Sequence, residues 1–189
     1  MSNHPKDKLF PYVVPFSWVD YAGKDSLVSW EFSEDVRMVL VFDGAGTVRN
    51  VRPEDLAEMN LDEGQAFELA AENLGKAFQA GEFEFGGATL RDGTEIGCAR
   101  GSWMAPAGAL ILGGFHEGLS QQFSRNEFAA VAVNQGCLFA FPADSKTLAS
   151  ESLRLAIDDE FTGHRKPISR SWLLIDGQWP RAWPGEQAF

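Results

Sequence analysis

The stretch Val36-Arg-Met-Val-Leu-Val-Phe-Asp-Gly-Ala-Gly-Thr-Val-Arg-Asn-Val51 decides the fold. Val36 to Phe42 is a nearly unbroken apolar run of strand length and reads as a strong buried strand. Asp43-Gly-Ala-Gly46 is turn chemistry, and Thr47 to Val51 reads as the returning strand of a hairpin.

Elements of both kinds follow on either side. Upstream, Leu27 to Phe32 alternates into a strand. Downstream, Pro53 stands where a helix begins, with Glu54 and Asp55 in its first turn, and a short helix runs to Met59. Asp62 is the next cap. From Glu63 to Ala80 the residues Phe67, Ala70, Leu74 and Phe78 recur at helical spacing, and Gly81 stops the helix. Glu82 to Phe85 reads as a short strand broken by Gly86-Gly87, and Thr94 to Ala99 as another, with Trp103 beginning a new element. Ala105 to Phe123 admits two readings. One is a helix weakened by four glycines, and the other is a strand ending at Gly113 before a short helix. Glu127 to Val133 and Cys137 to Phe141 form a hairpin, with Gly136 where a left-handed residue is wanted. Asp144 caps a helix from about Ser145 to Phe161. Trp172 to Ile175 and Gln178 to Trp183 make a last hairpin around Asp176-Gly177.

This order gives an α+β fold, an antiparallel sheet built from hairpins with three to four helices packed on it. Residues 1–11 read as a flexible polar tail. Residues 12–189 read as one α+β domain, with a division into two lobes near 100–125 as the alternative.

Composition bounds the function. Of 189 residues, 44% are hydrophobic and 23% charged, enough for a core without staples. The formal charge is −11. Between Pro53 and Glu95 eleven carboxylates face only Lys76 and Arg91, so that window holds −9 of it. Such a field argues against a nucleic-acid partner and for a basic protein partner, or for solubility alone. The start of the chain is not a secretory signal, and no apolar run approaches membrane-spanning length. Cys98 and Cys137 lie inside apolar strands and suggest reduced thiols in a cytoplasmic protein.

Val36 to Trp183 resembles the uncharacterised bacterial YtpQ-like family. The features in common are the early strand-turn-strand, a helix ending near Ala71-Glu72-Asn73-Leu74, the hairpin Ala130 to Pro142 running into Ala143-Asp144, and Pro167-Ile-Ser169 before a final hairpin. Ala143 replaces the family's usual arginine. The resemblance implies a fold of this kind and carries no activity.

Chemistry-bearing residues are few. Asp43 ends a strand before Gly44 and Thr47, which looks like the nucleophile loop of haloacid-dehalogenase-type phosphatases. Those enzymes place a second carboxylate two residues on, where this chain has Ala45. His116-Glu117 could transfer a proton, although neighbours on a helix diverge. His164 suits a helix C-terminus and His4 the tail, so neither a metal site nor a cofactor is expected. Asp144 is explained by capping alone. Gly101-Ser102-Trp103 lacks the frame of a nucleophile elbow, and no P-loop is present.

The leading reading is therefore a protein-binding module of immunity or antitoxin type. It would present Glu54, Asp55, Glu58, Glu68 and Glu72 to a basic protein. One alternative is a hydrolase or small-ligand-binding domain assembled from dispersed residues such as Asp43, His116, Glu117 and Asp144. The other is a homo-oligomeric subunit whose seam is the end rich in Trp172, Trp179 and Trp183.

Overall fold

A computed structural model describes residues 6–23, 26–44, 46–101 and 106–185. After a 3-10 turn at Lys6–Lys8, the chain runs β1 (Leu9–Pro15), α1 (Phe16–Ala22), β2 (Ser29–Glu31), β3 (Val36–Gly44) and β4 (Thr47–Asn50). Helices α2 (Pro53–Met59) and α3 (Glu63–Gln79) lead to β5 (Glu84–Thr89) and β6 (Glu95–Arg100). A 3-10 segment, Pro106–Ile111, precedes α4 (Gly113–Phe123), β7 (Phe128–Asn134) and β8 (Cys137–Pro142). Helices α5 (Ser145–Leu148) and α6 (Glu151–Gly163) and strands β9 (Leu173–Ile175) and β10 (Arg181–Ala182) complete it.

The strands form two antiparallel sheets, and the fold is α+β. In the first sheet β3 is central. It pairs with β1 along one edge, and with β2 and then β4 along the other. Its apolar run is covered on both faces. Leu40 and Phe42 pack with Leu56 and Met59 of α2 and Ala66 and Ala70 of α3, while Val39 and Val41 enter the main core. The second sheet has the order β10-β9-β7-β8-β6-β5. Along β7 the side chains alternate. Phe128, Ala130 and Ala132 join the core shared with the first sheet, whereas Ala129, Val131 and Val133 pack beneath Leu153 and Ile157 of α6. Gly97 lets α4 settle on this sheet, since a Cβ there would lie 2.3 Å from Leu119.

The sheets are clasped by Asp35, in the turn between β2 and β3. Its carboxylate accepts hydrogen bonds from Ser33 Oγ at 2.8 Å, from Ser171 Oγ at 2.7 Å and from Ser169 Oγ. Burial works against the charge of Asp35. The hydroxyls of Ser169, Ser171 and Ser33 together outweigh it and hold the carboxyl below its ordinary pKa.

Several sequence expectations need correction. The polar tail does not extend to residue 11: Leu9 is fully buried and opens β1. Pro11 and Pro15 fit because both turn their nitrogens to the outer side of β1. The Pro11 carbonyl on that side faces Gly108, where a Cβ would lie only 3.0 Å away. Gly86-Gly87 does not break β5, which pairs with β6 in unbroken register to Thr89. The 106–123 region is neither one helix nor a strand and helix, but a 3-10 segment followed by α4; Ala105 and Trp103 lie outside the described residues. The Ser145–Phe161 helix is two helices, because Ser150 accepts from Leu153 N and starts a second one. That division, together with α1, makes more helices than the expected three to four. Gly136 is not left-handed. A Cβ there would lie 3.1 Å from the Gly101 carbonyl, a tight approach that glycine avoids.

Candidate functional site

Helices α2 and α3 position the acidic residues. Both pack their apolar sides on one face of the first sheet, so both turn their polar sides outward from the same layer. Pro53 sits in the first turn of α2, and the Asp62 carboxylate caps α3 by accepting from Gln65 N at 2.8 Å. Glu54 and Glu58 on α2, and Glu68 and Glu72 on α3, are exposed. Asp55 is not available to a partner. It is 8% exposed, accepts from Arg52 N at 2.8 Å, and is gripped by Arg49 Nη1 at 2.9 Å from β4. Its place in the acidic face is therefore corrected: it is a structural carboxylate that fastens α2 to the hairpin. Glu72 meets Lys76 at 3.9 Å, an exposed pair worth little.

Asp62 and Glu63 stand at the start of α3, and the window's remaining carboxylates follow that helix. Glu84 is on β5, and Asp92 lies in the turn between β5 and β6. Asp92 accepts from Ser150 Oγ at 2.6 Å and from Thr94 N at 3.0 Å. These bonds, that of Ser150 foremost, hold its pKa at about 2.

A cleft of about 240 Å³ opens where α3, the start of α4 and the β9–β10 loop meet, lined by Phe67, Phe115, His116, Gln178 and Trp179 among others. Trp179 is 39% exposed, and its ring lies 5.4 Å from Phe67 and 5.2 Å from Phe32. His116 Nε2 lies 3.0 Å from the Asn126 carbonyl, so that nitrogen carries the proton and donates. The aromatic wall was not legible in the sequence, because Phe67 looked like an ordinary core position of α3 and its neighbour Trp179 arrives from the far end of the chain.

The dispersed catalytic candidates are not brought together. His116 lines the cleft, but Glu117, next along α4, is exposed and not among the cleft residues. Asp43 is the penultimate residue of β3 and accepts from Tyr12 OH at 2.5 Å. Asp144 caps α5 through Thr147 N at 2.9 Å and meets Arg125 at 3.5 Å; that amide bond and the arginine hold its carboxyl below the ordinary pKa. Ala45, Ser102 and His4 lie outside the described residues.

Cys98 and Cys137 are free thiols on β6 and β8. Burial pushes Cys98 up and Cys137 up to about 12, which suits packing rather than nucleophilic chemistry. Among the described residues no group of three or more His, Cys, Asp or Glu could hold a metal, and no helix is long and apolar enough to cross a membrane. Trp172 is 2% exposed and belongs to the core beneath α6, while Trp183 packs against it at 6.3 Å. No family model, curated protein or solved structure matches this chain.

Proposed function

We propose that this protein acts by binding a basic protein through the outer side of the α2–α3 layer. The observation that supports this reading is the placement of Glu54, Glu58, Glu68 and Glu72, exposed on two helices of one layer. Each helix carries its glutamates as an i,i+4 pair of like charge, a spacing that costs an isolated helix about 0.2–0.5 kcal/mol per pair. Glu72 is answered in part by Lys76 at 3.9 Å, and a cationic surface would complement these carboxylates further on binding. A field of this sign speeds encounter with such a partner and disfavours anionic ones. An immunity or antitoxin-type protein that masks a basic enzyme is one form this activity takes.

The test replaces Glu54, Glu58, Glu68 and Glu72 together by Gln and compares capture of proteins from a native lysate at low and high salt. The reading expects a basic protein retained by the wild type at low salt, released at high salt, and not retained by the variant. A partner held regardless of salt, or held equally by the variant, overturns it.

A further inference from the structure

Among the described residues no strand pairs with the outer side of β5. Across the turn, Leu90 N donates to Thr94 O at 2.8 Å, and the register pairs Ala88 with Ile96, Gly86 with Cys98 and Glu84 with Arg100. In an antiparallel ladder alternate residues point both backbone groups to the same side. Ala88, Gly86 and Glu84 therefore bond to β6, and Phe85, Gly87 and Thr89 turn N–H and C=O outward. Gly86 to Thr89 is exposed, with no bulge and no proline. The remaining sheet edges are short or shielded. Strands β2, β4 and β10 have three, four and two residues, and β1 is capped by prolines and packed neighbours.

We propose that β5 is a strand-addition site that takes an extended, cationic segment of the protein partner. The inference rests on the reading of the chain as a binder of basic proteins, and it adds to the α2–α3 contact a second one at the edge of the second sheet. Charge selects the occupant. From Glu82 to Glu95 the chain carries Glu82, Glu84, Asp92 and Glu95 against Arg91 alone, and Arg100, opposite Glu84, is held by Glu160 at 2.9 Å. A second copy of this chain would bring the same carboxylates against themselves. A segment alternating lysine with a β-branched residue meets both demands, since its backbone completes the ladder and its charges answer the rim.

The experiment adds the acetylated, amidated hexapeptide Lys-Val-Lys-Val-Lys-Val to the isotope-labelled full-length protein and follows backbone amides by NMR. Expected are shifts and new exchange protection at Phe85, Gly87 and Thr89, while Glu84, Gly86 and Ala88 are protected before and after. Thr89→Pro removes one outward N–H and no ladder bond, and weakens the peptide about tenfold. Glu84→Lys leaves the backbone intact and also weakens it, with a smaller salt dependence. Three results overturn the inference: equal binding by Thr89→Pro, a dimer of the free protein whose seam is β5, or peptide shifts confined to α2 and α3. The last leaves the broader reading standing, whereas no binding on any surface removes both.

Discussion

Strands β1 and β5 each end a sheet, and their outer backbone edges meet different surroundings. Along β1 the outward groups are Leu9, Pro11, Val13 and Pro15. Asn73 Nδ2, from α3, donates to Leu9 O at 3.0 Å, Gly108 approaches the Pro11 carbonyl, and the two prolines bring no N–H to that side. Along β5 the outward residues include a glycine and face solvent from Gly86 to Thr89. The difference shows that this chain contains the usual means of blunting an edge and applies them at only one of its two longest ones. A row of unmet donors and acceptors in water costs little, yet it remains a template for another strand.

Substitutions can break or sharpen that contrast. The largest effect is expected at the cover of β1. Leu74→Ala, at a fully buried position against Gly108, removes part of that cover and should destabilise by about 2–5 kcal/mol in chemical denaturation. Asn73→Ala takes a buried donor from Lys6 O and Leu9 O and should cost about 1–3 kcal/mol. Hydrogen exchange should then rise first in β1 rather than across the molecule.

An acid titration compares the two sheets at smaller amplitude. The folded carboxyls of Asp35, at the clasp, and Asp92, at the β5 turn, both lie below the ordinary aspartate pKa. Each therefore contributes stability above its unfolded pKa, and that contribution is lost as pH falls through the folded value. For Asp92 the window runs from pH about 4 down to about 2. Denaturation midpoints taken across that range should fall with pH, and Asp92→Asn should flatten part of the slope. The smallest effect belongs to the open edge. Thr89→Pro should change stability by less than about 0.5 kcal/mol. Ala88→Pro, one residue away, loses a ladder bond and should cost measurably more in the same assay.

Much of the architecture was legible in local signals. The apolar run of β3, the Pro53 start of α2, the Asp62 cap of α3 and the β7–β8 hairpin are each written within a few residues. The two edges were the hardest part to read, and for one reason. Pro11 and Pro15 argue against a strand unless their nitrogens are known to face outward, and Gly86-Gly87 argues for a break unless α4 is known to lie over the sheet, where a Cβ on Gly87 would meet Gln122 at 2.7 Å. Both facts are tertiary. The candidate site divides the same way. Exposure of Glu54, Glu58, Glu68 and Glu72 follows from helical spacing, whereas the burial of Asp55 depends on Arg49 arriving from β4.

The Asp35 clasp also has a temporal meaning. Its hydroxyl partners Ser169 and Ser171 stand 134 and 136 positions further along the chain. During synthesis the first sheet leaves the ribosome long before those serines exist, so until then Ser33 is the one of the three hydroxyl donors within reach of Asp35. Closing so wide a loop is slow relative to local pairing. The first sheet and its helices can assemble early, and the clasp locks when the segment leading into β9 arrives.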